Sequence, residues 1–232
     1  MLAFRRGLRL VSGWKAFGDA ENTDTQIQAR TFFMSIIYNN MEQKYNTSVL
    51  ETEMARLQNY CEREGELVVY NKGEQLEREG ERACWFAFVE RGCFKYLTHG
   101  ISDDKEHITW FSFDGEFVGD YPSVLSGCLS QATIEAMMPC RVWRVSGENL
   151  KRFFTQDIDT MEMRAVIAEH MLSQFKARYQ DFHRTTPRER YELLMKRCPG
   201  IVNELPLNAI ASFLNVTPKT ISMLRRQITF NQ

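Results

Sequence analysis

No apolar run in this 232-residue chain is longer than the seven residues from Ala83 to Val89. A membrane-spanning helix needs roughly 20, so the pattern excludes one. Net charge is nearly absent too, at −1 from 29 Lys+Arg against 30 Asp+Glu. That excludes a chain that is polycationic throughout, yet leaves room for a basic module within it. The six cysteines contain no CxxC pair and follow no regular spacing. This excludes a disulfide-stapled secreted domain, and reduced thiols in a cytoplasm are expected. No Gly-rich phosphate loop, nucleophile elbow or catalytic triad can be read along the chain. What is present is a 44% hydrophobic, 12% aromatic composition, enough for a packed core.

The two ends differ from the rest. Residues 1–40 carry Arg5, Arg6, Arg9 and Lys15 among apolar residues, and Arg9 interrupts the stretch a secretory signal would need. The segment reads as a leader, either unordered or the product of a start codon assigned too early, with Met34 or Met41 as the alternative start. It is assigned no function. From Arg184 to Gln232, eight Lys/Arg face three Glu, a local +5 that leaves −6 on the remainder. A basic module on an acidic body suggests a polyanionic partner.

Between Tyr60 and Val145, short apolar runs alternate with Gly-marked turns. Leu67–Tyr70, Cys84–Val89, Cys93–Leu97, His107–Phe113, Ala132–Met137 and Arg141–Val145 each end at a turn signal. Such a series of β-branched and aromatic runs predicts an antiparallel sandwich or barrel. Next, Ile158, Met161, Ala165, Ala168, Leu172, Phe175, Tyr179 and Phe182 repeat at alternating spacings of three and four. This 3.5-residue seam predicts a long helix that pairs with a second copy of itself. Ile167, Met171 and Gln174 lie off the seam, where they can face the β body.

Thr186-Pro187-Arg188-Glu189 predicts a helix break and a new start, with Thr186 and Glu189 as reciprocal caps and Pro187 where no N–H is needed. The strongest motif follows, Leu207 to Arg226. Ile210, Leu214, Val216, Ile221 and Leu224 fall where two crossed helices require apolar contacts, and Ala211 where they approach closely. Asn215 takes the turn position that needs a left-handed backbone. Thr217 is a natural N-cap and Pro218 a natural first helical residue. These features describe a helix-turn-helix whose second helix enters the major groove by its N-terminal end. Lys219, Ser222 and Met223 are the candidates for base edges; Thr217, Thr220, Arg225 and Arg226 are the candidates for phosphate.

A β-roll, a heptad helix and a C-terminal helix-turn-helix resemble the CRP/FNR family of bacterial transcription regulators, over roughly Thr47 to Ile228. Besides the C-terminal motif, the likeness rests on Lys72-Gly73-Glu74 and on Phe113-Asp-Gly-Glu-Phe-Val-Gly-Asp120. It implies an α+β fold: an N-terminal antiparallel, cupin-like β-roll, a long dimerisation helix and a C-terminal winged helix-turn-helix. The expected boundaries are 1–40 for the leader, 41–155 for the cyclic-nucleotide-binding-like sensor, 156–184 for the helix and 185–232 for the DNA-binding domain. Duplex DNA, a second copy of the chain and RNA polymerase are the implied partners, with no membrane. Cyclic-nucleotide-binding members carry Gly-Glu and a downstream Arg-Ser or Arg-Thr; the Glu holds the ribose and the Arg neutralises the phosphate. Here Gly119-Asp120 is followed by Ser130-Gln131, and no Lys or Arg stands between Asp120 and Met138. A buried phosphate without a cation is costly, so cyclic AMP is not the expected effector. Gly119, Asp120, Tyr121, Ser130, Gln131, Ser173 and Gln174 would line the effector pocket, its ligand open.

Other chemistries fit the residues less well. No cysteine precedes Cys61, whereas iron–sulfur members of the family need an N-terminal cluster. His99 and His107 lie near turns without the His-x-His of enzymatic cupins, and His170 and His183 read as surface or interface residues. No metal site or cofactor is assigned. The alternatives are a metal-dependent cupin-like enzyme, for which ligands are missing, and a ligand-binding adaptor without DNA, which the helix-turn-helix argues against.

Overall fold

The computed structural model describes residues 47–101, 105–197 and 205–230. The leader expected over residues 1–40 lies outside them. Helix α1 (Thr47–Glu64) leads into β1 (Glu66–Tyr70), β2 (Gln75–Glu77), β3 (Trp85–Arg91), β4 (Phe94–His99), β5 (Glu106–Ser112) and β6 (Phe117–Val118). The short helix α2 (Tyr121–Ser126), β7 (Thr133–Ala136), β8 (Cys140–Ser146) and helix α3 (Gly147–Phe153) complete the roll. Among the described residues four helices follow: α4 (Ile158–Arg184), α5 (Pro187–Arg197), α6 (Leu207–Phe213) and α7 (Pro218–Phe230).

The strands form two four-stranded antiparallel sheets, ordered β1-β8-β3-β6 and β2-β7-β4-β5. All six expected runs are strands. Strand β3 shows why its run is continuously apolar rather than alternating. Ala87 and Val89 turn into the core between the sheets, with Phe94, Ile134 and Val142. Phe86 and Phe88 turn the other way, beneath α1, α2, α3 and α4, with Leu57, Leu150, Phe154 and Met163. A strand covered on both faces has no polar side to display. Gly92, at φ +117, closes the turn from β3 to β4; a Cβ there would stand 2.5 Å from Cys140 Sγ.

Several elements depart from the sequence reading. The β region was expected to start near Tyr60, but α1 runs on to Glu64, and Tyr60 stacks on Phe153 with centroids 3.9 Å apart. Strands β2 and β6 are too short, at three and two residues, to show a period, and α2 is a short helix within the stretch expected to be β, with α3 following just after it. No strand follows β8 among the described residues, so the wing expected beside the helix-turn-helix is not among them.

Helix α4 is 27 residues long and opens with a reciprocal cap between Asp157 and Thr160. Thr160, Met163 and Ile167 are buried against the roll, and Met171 packs on the same cluster. The opposite face leaves Ile158, Met161, Leu172, Phe175 and Tyr179 exposed by 53–72%. The helix ends at Arg184, and α5 starts as read: Thr186 N–H donates to Glu189 Oε2 (2.7 Å) and Glu189 N–H to Thr186 Oγ1 (3.3 Å). The C-terminal helices do not stand off from the roll. Tyr191, Leu194, Ala209, Ile210, Ile221 and Leu224 share one core with Leu97, Ile108 and Phe111 of β4 and β5.

Candidate nucleic-acid interface and effector cassette

Ala211 of α6 is 1% exposed and shares a core with Ile221 and Leu224 of α7. The turn between the two helices obeys the motif. Asn215 is the one non-glycine residue with positive φ among the described residues, at 52°, a conformation Asn tolerates better than other side chains. Val216 N–H closes the turn on Ala211 O at 3.0 Å. Thr217 Oγ1 accepts from Thr220 N–H at 3.2 Å and caps α7, and the two hydroxyls lie 2.8 Å apart. Ile221 and Leu224 then face inward at 0% and 5% exposure.

The opposite face of α7 is open. Pro218, Lys219, Ser222, Met223 and Arg226 are exposed, and Lys219 and Met223 lie one turn apart on it. Arg225 is half-buried, and its Nε donates to Tyr191 Oη at 3.2 Å, which ties α7 to α5. Thr217 and Thr220 are bound to each other in the cap at the start of this helix.

The cassette around Gly119-Asp120 is a second constellation, and its centre is a residue the sequence reading did not pick out. Glu77, at the end of β2, is 6% exposed. Its Oε1 accepts Trp85 N–H (3.3 Å) and its Oε2 accepts Asp120 N–H (3.1 Å), with Ser130 Oγ 3.3 Å away. Ser130 Oγ donates to Ala132 O at 2.9 Å, and Gln131 N–H donates to Asp120 Oδ2 at 2.8 Å. Gly119 crosses under β3 so closely that a Cβ would stand 2.8 Å from Trp85 O, and its N–H donates to Tyr96 Oη. Burial pushes the Tyr96 phenol up to about 12. Nothing in the string Gln-Leu-Glu distinguishes Glu77 from a solvated carboxylate; the strand pairing buries it.

Of the expected pocket residues, Gly119, Asp120, Ser130 and Gln131 come together. Tyr121 does not join them. Its ring packs edge-on against Phe86 and Phe154, 5.7 and 6.2 Å between centroids, on the side facing α3 and α4, and burial pushes its phenol up to about 12. Ser173 and Gln174 are half-buried on α4. Of the seam residues, Phe182 is half-buried and covered by the guanidinium groups of Arg178 and Arg190, at 5.7 and 5.3 Å.

Two of the histidines meet a neighbouring side chain. His99 Nδ1 lies 2.9 Å from Glu79 Oε2, and His183 stacks edge-on against Tyr179 at 4.6 Å. Burial holds the half-buried His170 below the usual imidazole range. Among the described residues, no three His, Cys, Asp or Glu side chains are grouped to hold a metal ion, and no helix is long and apolar enough to cross a membrane. The described cysteines are free thiols, Cys84 and Cys128 exposed and Cys61 pushed up to about 12 by burial.

Glu77 has a measurable consequence. Burial raises its pKa above the usual carboxylate value, and the neighbouring Asp120 charge adds to this, against the three donors. The folded state therefore holds that proton more tightly than the unfolded chain. Its contribution to stability is present below the unfolded pKa and falls as pH rises towards the raised folded value. Asp157 and Glu189, lowered by their cap hydrogen bonds, act in the opposite direction and lose their contribution as pH falls. Carboxyl carbon shifts followed by NMR should place the Glu77 midpoint above the ordinary glutamate value of 4.5 and those of Asp157 and Glu189 below the ordinary 3.8 and 4.5. A Glu77 midpoint at or below 4.5 would contradict the buried network.

Residues 67–157 match the cyclic nucleotide-binding domain family. The structure of FixK2 from Bradyrhizobium japonicum superposes with a TM-score of 0.63 at 20% identity, covering 72% of this chain and 85% of that one. CLP from Xanthomonas campestris, a c-di-GMP responsive global regulator, gives 0.54 at 13% identity, over 78% and 92% of the two chains. A CooA variant from Carboxydothermus hydrogenoformans gives 0.55 at 15% identity, with 81% of each covered. The chain has the CRP/FNR regulator fold. No curated protein sequence matches it. Within the CRP/FNR fold, the matched segment spans β1 to the residue before α4. Both sheets and the Glu77–Asp120–Ser130 cluster lie inside it; α4 and the helix-turn-helix lie beyond.

Proposed function

We propose that this chain is a cytoplasmic, homodimeric, sequence-specific DNA-binding regulator of transcription. The observation that carries the reading is the open face of α7. Lys219, Ser222, Met223 and Arg226 are exposed on a helix whose start is held by the Asn215 turn and the Thr217 cap. An N-terminal reading face of this kind fits the major groove, and the +5 of the C-terminal segment attracts the phosphate backbone. The exposed seam of α4 supplies the surface on which a second copy would pair. RNA polymerase is the further partner through which bound protein would change transcription, and the roll would sense or scaffold rather than catalyse.

The test is selection of bound sites from genomic or random duplex DNA. Enrichment of a palindrome is expected; recovery of no enriched site, with or without cell extract, would sink the reading. Lys219→Ala should weaken the selected site by about 1–3 kcal/mol relative to random DNA, the value of one base contact. Arg226→Ala should weaken selected and random DNA alike and reduce the salt slope by about one counterion.

The roll's effector would not be cyclic AMP. Gln131 N–H is already taken by the Asp120 carboxylate, and buried Glu77 stands behind Ser130. An entering phosphate would meet two carboxylates, and the segment between Asp120 and Met138 supplies no Lys or Arg to offset them, whereas anion sites depend on charge-assisted donors. Calorimetry with cyclic AMP, cyclic GMP and cyclic di-GMP should show no saturable binding below about 10 μM, equivalent to roughly −7 kcal/mol. Saturation by a cyclic mononucleotide in that range would show that a cation reaches the cassette from elsewhere.

A further inference from the structure

We infer that Arg178 is the positioning residue that fixes the DNA-reading head relative to the dimer seam, and so sets the spacing of the half-sites the protein accepts. The inference rests on the DNA-binding, dimeric reading above. Arg178 lies near the end of α4, about two turns before the helix break, and its guanidinium joins three parts of the chain. Its Nη1 donates to Thr109 O on β5 of the roll. Its Nη2 donates to Phe213 O, the last residue of α6 in the head, at 3.3 Å. The same plane lies 3.8 Å from the Phe213 ring centroid and 5.3 Å from that of Trp110.

The contacts continue in both directions. Trp110 packs on Phe175 of the α4 seam, 5.4 Å between centroids. Beside Arg178, Ile108 N–H donates to Ser212 Oγ at 2.9 Å, a second tie between β5 and α6. Seam, strand β5 and head are thus in contact through one side chain. A planar five-donor fork can bond two carbonyls and stack on a ring at once, which an ammonium cannot. The α6 carbonyl it meets also carries the negative end of the helix. Only Thr185 and Thr186 connect α4 to α5, and the bonds at this junction orient α5 rather than α6. The shared apolar core keeps the head docked, but non-directional packing tolerates small rotations. Arg178 and the Ile108–Ser212 hydrogen bond supply the directional contacts, and of the two only Arg178 also reaches α4.

In a twofold dimer, a rotation of each head changes the separation of the two α7 helices, and that separation is read as half-site spacing. One inserted base pair moves a half-site by about 3.4 Å and turns it by about a tenth of a turn.

The experiment takes the palindrome selected by the full-length wild-type protein and varies its central spacer by one and two base pairs. Wild type should prefer the selected spacing by about tenfold or more. Arg178→Ala should remain a dimer by sedimentation, keep its preference for the half-site sequence, and prefer the selected spacing by about threefold or less. Arg178→Lys should fall between, because it keeps a donor and loses the stacked plane. A dimeric Arg178→Ala with the wild-type spacing preference overturns the inference while leaving the DNA-binding reading intact. If Arg178→Ala fails to fold, Arg178→Lys decides, and an unchanged spacing preference there overturns it equally. A wild-type protein indifferent to spacing overturns it outright, and one that binds no selected DNA overturns the underlying reading as well.

Discussion

Leu172→Glu should turn the protein from a dimer into a monomer at micromolar concentration in sedimentation. Leu172 is 69% exposed on α4 and sits mid-way along a seam whose apolar members face away from the roll. Five large apolar side chains open to water on one helix face form a patch that monomeric proteins rarely keep. Ala165 and Ala168, also exposed on this face, would let two parallel helices approach closely before Leu172 and Phe175 meet their mates. A glutamate at 172 would bring two carboxylates together across the twofold axis, each losing water and neither gaining a cation. Burying an unpaired charge costs several kcal/mol, and the leucine burial of about 1.5–3 kcal/mol per side is lost as well. The dimer dissociation constant should rise by about a thousandfold or more, since roughly 4 kcal/mol corresponds to three decades. Affinity for a palindrome should drop to that of a half-site. A dimer indifferent to both Leu172→Glu and Phe175→Glu would show that another face makes the contact.

Ile210→Ala should destabilise the protein by about 2–5 kcal/mol in chemical denaturation, the range for truncating a closed aliphatic site. Ile210 is fully buried, and its cluster includes both the head and strands β4 and β5. The loss should therefore reach beyond the helix-turn-helix: amides of β5 should exchange faster with solvent along with those of α6 and α7. Met223→Ala makes the contrast. Met223 is 54% exposed, so its truncation should change stability by no more than about 0.5 kcal/mol while weakening the selected DNA site. If Ile210→Ala leaves β5 protection unchanged, head and roll open as separate units despite their shared core.

These expectations draw on two kinds of information. The six longer strands could be read from the chain because β-branched and aromatic runs with turn signals are local properties. So could the break at Thr186-Pro187, whose cap closes within four residues, and the left-handed Asn215 with its neighbouring Thr217 cap. The seam of α4 was equally legible, since a period needs only one helix to display it. Helix α1 was read partly as β, because its buried face is set by Leu57 and Cys61 meeting the far end of the roll. Strands β2 and β6 exist through their partners and have too few residues to announce themselves.

What the sequence determined by itself, then, is wherever hydrogen bonds or apolar spacing close within a turn or two. These are the six longer strands, the starts of α5 and α7, the two faces of α4 and the open face of α7. Only the tertiary structure decided what depends on residues brought from far along the chain. Strand pairing turns Glu77 from a surface carboxylate into the buried centre of the cassette. Packing sends Tyr121 into the core against Phe86 and Phe154. The approach of α5 engages Arg225 with Tyr191, and the docking of α6 on β5 gives Arg178 two carbonyls separated by about a hundred residues, Thr109 and Phe213. A side chain's charge and reach are written in its type, but its partner is fixed by which surfaces the fold closes over it.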